Sequence, residues 1–237
     1  MNMLTTQSRN NNKNLSIIVK THRKPTYLDR LTATNELLEC VVEGCTKKRR
    51  SASKASGLHA NNMNRNGHYL GTMKYKKSQF KYENQLLSEC IDLNLGSDSM
   101  QLALGRIERL LKGANLGFFE TIPQLRVFQA CYDSPSCTPR KIVHETALWF
   151  VVEHFQPPHG FIKSLKHRDC LIGNAVFNLS GLSVSVYRRY ASNRLEIANY
   201  LLAEFSPFYG ALLQACIKRH EFRQGEAGVL GAELLSN

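Results

Sequence analysis

The chain has 237 residues, 43% hydrophobic and 21% charged, which supplies apolar material for one sizeable core and fits one or two domains. Its seven cysteines are an odd set, and the first fifteen residues are polar and Asn-rich with no apolar stretch of signal-peptide length, so a secreted disulfide framework is disfavoured. No window reaches the roughly 18 apolar residues that a bilayer span needs, and an intracellular chain of the cytoplasm or nucleus is expected.

The formal net charge of +12 is unevenly placed: the first 90 residues hold 16 Lys and Arg against 6 Asp and Glu, and the remaining 147 hold 15 against 13. A basic segment on a nearly neutral body points to nucleic acid, an anionic membrane or an acidic protein as partner.

In chain order, residues 1–15 are too polar to offset chain entropy and are expected to be disordered. Residues 16–19 (SIIV) suit a short strand. Residues 31–42 carry Leu37, Leu38, Val41 and Val42 at spacings that suit one helical turn or a short strand equally, so a short ordered segment is expected within 16–45. Residues 46–82 hold ten basic residues and no acidic one among dense Ser, Asn and Gly, which reads as a flexible arm that orders on a partner. The arm is therefore drawn as 1–90 and the globular body as 91–237.

The body reads as helical throughout. Residues 98–111 place Leu102, Ile107, Leu110 and Leu111 on one face, with Ser97 or Asp98 as N-cap and Gly113 near the end. Thr121, Ile122 and Pro123 open a second short helix. Thr138 and Pro139 open a longer one to about Phe155, so broadly apolar that it belongs at the centre of the core, and Pro157 and Pro158 break it. Two shorter apolar segments follow, 170–179 and 182–187. Ser192 or Asn193 caps a helix over 195–205, Ser206 and Pro207 start another to about Phe222, and residues 227–235 suit a last short helix. The expected fold class is mainly α: a compact bundle of packed helical hairpins, about six to seven helices, preceded by a flexible basic N-terminal arm.

Residues 106–115 (RIERLLKGAN) and 194–205 (RLEIANYLLAEF) resemble the second helix of an ankyrin repeat, and residues 210–220 (GALLQACIKRH) resemble its first. The resemblance implies stacked helical hairpins that bind other proteins. The Thr-Pro-Leu-His motif and the period of roughly 33 residues are missing, so the hairpin architecture is carried forward without the family.

Three constellations could carry chemistry. Cys40-x4-Cys45 followed by His59 and His68 is the donor set of a tetrahedral structural zinc, which is worth most in a core-poor segment. The eight residues between the histidines exceed the usual three to five or so, and the plainer reading is two partly buried cysteines beside exposed histidines. His144 and His154 lie ten residues apart on one expected helix, about 15 Å along its axis, and cannot share a metal. His167, Asp169 and Cys170 supply the residue types of a cysteine nucleophile but are neighbours in sequence, and no Gly-rich phosphate loop, Gly-x-Ser-x-Gly or His-Glu-x-x-His accompanies them.

The strongest signal is the basic arm. Lys47, Lys48, Arg49, Arg50, Lys54, Arg65, Lys74, Lys76, Lys77 and Lys81 can neutralise phosphates, and Tyr69, Tyr75 and Phe80 among them can stack on unpaired bases. The expected function is thus a nucleic-acid-binding accessory protein, preferring RNA or single strands, with the helical body for docking or self-association. The alternative is a helical protein-interaction module, of viral accessory or host-directed effector type, in which Lys47, Lys48, Arg49 and Arg50 act as a nuclear-localisation signal. An enzyme is the weaker expectation.

Overall fold

The computed structural model describes residues 25–117, 123–157, 160–182 and 191–235, without the side chains of residues 123–124 and 226–235. The expected disorder at 1–15, the strand at 16–19, the helix start at Thr121 and Ile122 and nearly all of the segment 182–187 lie outside those residues. Eight α-helices are described: α1 (Tyr27–Leu37), α2 (Gly57–Asn66), α3 (Lys81–Asn94), α4 (Asp98–Asn115), α5 (Val127–Asp133), α6 (Pro139–Phe155), α7 (Leu165–Leu179) and α8 (Ala191–Leu235). The β structure among the described residues is a single antiparallel bridge between Glu39 and Lys48. The protein is mainly α, and no described helix is long and apolar enough to cross a membrane.

Local chemistry sets the helix starts. Ser97 Oγ accepts from Met100 N at the start of α4, and Thr138 Oγ1 accepts from Lys141 N at the start of α6 with Pro139 in the first turn. Ser164 does the same for α7 through His167 N. Each such cap satisfies one of the amides that a helix N-terminus leaves without a partner.

Helices α3 to α8 form the bundle. The centre is α6, whose Ile142, Val143, Ala147, Leu148, Trp149, Val151 and Val152 are buried and which packs on α3, α4, α7 and α8. Removing each such Leu, Ile or Val side chain from water contributes about 1.5–3 kcal/mol. Helix α7 is buried over most of its length, from Cys170 to Phe177, between α6 and α8. Helix α3 runs across residue 90, where the arm and body were divided, and its Leu86, Leu87, Cys90 and Ile91 belong to the same core.

The start signal at Ser206 and Pro207 does not open a new helix. Helix α8 continues through Pro207, because Leu201, Phe205, Tyr209, Leu212 and Cys216 make one uninterrupted apolar stripe against the bundle. Ser206 Oγ bonds back to the Leu202 carbonyl, in the turn where the proline removes a backbone donor.

Candidate metal centre and basic surface

Residues 38–56 fold into a small double loop in front of α2. The Glu39–Lys48 bridge is closed by Cys40 N to Lys47 O and Arg49 N to Leu38 O, both 3.0 Å. Gly44, with φ +74°, allows the tight turn that returns Cys45 N to Val42 O at 3.1 Å. A second turn then lays residues 54 and 55 alongside, through Val41 N to Lys54 O and Arg50 N to Ala55 O, both 3.1 Å. Helix α2 therefore begins directly above the first loop.

Three of the four expected metal donors meet here. Cys40 Sγ, Cys45 Sγ and a ring nitrogen of His59 all lie within 4.8 Å of one another. Cys40 Sγ is 3.3 Å from His59 Nδ1, and it accepts from the backbone amides of Ser56 at 3.2 Å and Val42 at 3.5 Å. Ser56 Oγ is 3.3 Å from His59 Nδ1 and 3.8 Å from Cys45 Sγ. Burial alone would push the Cys40 thiol up, but the amides of Ser56 and Val42, with the side chains of His59 and Ser56, outweigh it and bring the thiol down to about 6. The position of Cys40 at the N-terminus of α2 acts in the same direction.

His68 does not join them. It lies beyond the far end of α2, and the run of that helix past His59 alone separates the two histidines by about 10 Å. His68 Nδ1 accepts from Leu70 N at 3.1 Å. Burial, with Lys163 nearby, holds its pKa below the ordinary histidine value.

Nothing in the local pattern signals α2, GLHANNMNRN, which has no apolar stripe. Two of its asparagines tie down the chain that follows: Asn62 Nδ2 donates to Tyr69 O at 2.9 Å and Asn66 Nδ2 to Gly71 O at 2.7 Å. The module as a whole has almost no core. Between residues 25 and 79 the buried apolar side chains are Cys40 and Ala55 alone, while Tyr27, Leu28, Leu37, Leu58 and Leu70 are exposed.

The basic residues fall into three groups. Lys48 and Arg49 are occupied within the loop: Lys48 Nζ is 3.3 Å from Leu37 O and 3.9 Å from Glu39, and Arg49 Nε donates to Glu39 O at 2.8 Å. Lys77 pairs with Glu145 of α6 at 2.8 Å. Lys47, Arg50, Lys54, Arg65, Lys74, Lys76 and Lys81 are exposed, and among the described residues no carboxylate lies within pairing distance of them.

The expected stacking aromatics divide differently. Phe80 is 2% exposed, and Tyr75 is half-buried with its ring edge-on to Trp149 at 4.9 Å. With Phe161 they form an aromatic cluster that seats the chain before α3 on the bundle. Their rings are spent on the core and are not offered to bases. Tyr69 is half-buried beside His68.

No family model matches the chain, and no curated protein or solved structure matches it. The assignment therefore rests on geometry.

The cysteine-nucleophile set is otherwise engaged. Cys170 is fully buried, and burial pushes its thiol up to about 11. Asp169 is held by Arg168 at 2.9 Å, and both nitrogens of His167 are taken by backbone groups of Lys163 and Thr72.

Proposed function

We propose that this chain is a nucleic-acid-binding accessory protein that contacts the phosphate backbone through the double loop ahead of α2. The observation that supports this reading is the placement of Lys47, Arg50 and Lys54. All three are exposed, lie on adjoining turns joined by the Cys40–Lys47 and Val41–Lys54 backbone bonds, and among the described residues have no carboxylate within pairing distance. Cations held in this way displace condensed counterions from a polyanion, which gives affinity without base choice. With Phe80 and Tyr75 committed to the core, stacking on unpaired bases adds little, and the preference for RNA or single strands rests on Tyr69 and on the flexibility of such strands.

The test is binding of single-stranded RNA and of duplex DNA at low salt by the full-length chain and by a variant with Lys47, Arg50 and Lys54 all changed to Gln. Binding that the substitutions weaken at least tenfold supports the reading. If neither protein binds, the helical body is the docking surface for a protein partner, and the same substitutions should alter only where the protein resides in a cell.

A further inference from the structure

We propose that Cys40 Sγ, Cys45 Sγ and His59 Nδ1 bind one zinc ion, with water in the fourth position, and that this ion holds the double loop onto the start of α2. The inference does not depend on nucleic-acid binding.

The distances fit. In a tetrahedral site with Zn–S near 2.3 Å and Zn–N near 2.0 Å, a sulfur and a nitrogen ligand stand about 3.5 Å apart. The separation of Cys40 Sγ and His59 Nδ1 is 3.3 Å, and the third donor lies within the same 4.8 Å. The chemistry fits as well. Two thiolates and an imidazole suit zinc better than calcium or magnesium, which take oxygen ligands. Any thiol still protonated loses its proton as the ion binds, and the two thiolates neutralise its charge.

The surroundings supply the outer shell that metal thiolates require. Amides of Ser56 and Val42 point at Cys40 Sγ, fixing its direction and sharing its charge. Ser56 Oγ lies 3.8 Å from Cys45 Sγ, where its hydroxyl can donate to that thiolate once His59 Nδ1 is given to the metal. All seven cysteines are free thiols, so Cys40 and Cys45 are not joined in a disulfide.

A reason for the ion is visible too. The loop has only Cys40 and Ala55 as buried apolar side chains. A segment with so little core needs another source of folding free energy, and a bound metal is one such source.

The experiment is a cobalt(II) titration of the metal-stripped full-length chain, followed by displacement with zinc. We expect one equivalent of cobalt to give the visible bands of a tetrahedral site and a thiolate-to-cobalt charge-transfer band. Both should be lost in Cys45→Ser and Cys40→Ser and kept in His68→Asn and Cys170→Ser. Hydrogen exchange should show zinc slowing amide exchange across residues 38–60 and leaving α6 unchanged, which separates loss of the ligand from loss of the bundle. Absence of the bands in the unmodified chain would overturn the proposal. So would bands that survive both cysteine substitutions, or bands that vanish with His68.

Discussion

His167 Nε2 lies 3.1 Å from the carbonyl oxygen of Thr72, while its Nδ1 accepts from the amide of Lys163 at 3.3 Å. The ring is therefore the neutral tautomer with its proton on Nε2, and it clasps the chain leaving α2 to the start of α7. Gly71 lies flat against the same ring, where a Cβ would come within 3.0 Å of Cδ2. Arg194 of α8 reaches across to the carbonyl of Arg65. Histidine geometry and backbone carbonyls thus fasten the end of α2 to the bundle, and the aromatic cluster of Tyr75 and Phe80 seats the chain that follows.

A protonated His167 would turn a second N–H toward the Lys163 amide. Burial holds its pKa below the ordinary value, with His68 and Lys163 adding to the lowering and the Thr72 carbonyl opposing it. The folded pKa lies below the unfolded one, so the unfolded state binds more protons. This stability contribution is complete above about pH 6.5 and declines as pH falls through that value toward the folded pKa. His144, lowered mainly by burial, acts in the same direction. Urea midpoints should be lower at pH 5.5 than at pH 7.5. His167→Gln should reduce that difference while costing about 1–3 kcal/mol at pH 7.5.

Two glycines mark close approaches. Gly67 has φ +76°, and a Cβ there would stand 2.8 Å from Cys170 Sγ and 2.9 Å from Lys166 O. Gly67→Ala should undock the end of α2 at a cost of about 1–3 kcal/mol, read as faster amide exchange at residues 60–72. Gly173 of α7 would place a Cβ 2.1 Å from Arg194 O, so Gly173→Ala forces α7 and α8 apart and should lower the melting temperature of the whole bundle.

Inside the bundle, Thr146 Oγ1 and Tyr209 Oη are 2.9 Å apart, and Thr146 Oγ1 also bonds to Ile142 O at 2.6 Å. Burial pushes the tyrosine up to about 12 despite that hydrogen bond. The two deletions should differ. Tyr209→Phe leaves Thr146 satisfied by its own helix and should cost about 0.5–1.5 kcal/mol. Thr146→Val strands the buried tyrosine hydroxyl and should cost about 1–3 kcal/mol. Chemical denaturation of the two variants decides the order.

What the sequence revealed follows the range of the interaction. Thr138 with Pro139, and Ser97, announce α6 and α4 because a cap acts over three residues. Pro207 misled for the same reason. Its signal is local, whereas the stripe from Leu201 to Cys216 that carries α8 past it depends on what the helix packs against. Tyr75 and Phe80 looked like stacking residues because lysines surround them, and their partners Trp149 and Phe161 are some seventy to eighty positions away in the chain. Cys40, Cys45 and His59 were legible as donors by type. Separating His68 from them needed the length of α2, a polar helix with no periodic signature.

The most direct test of phosphate contact by the double loop is the salt dependence of RNA binding. Fluorescence anisotropy of the full-length chain with a labelled single strand should give log K falling linearly with log salt. Changing Lys47, Arg50 and Lys54 to Gln should make that slope shallower by about 2, since each phosphate contact on a single strand contributes about 0.7. An unchanged slope in the triple variant, or no binding by the unmodified chain at low salt, would contradict the account.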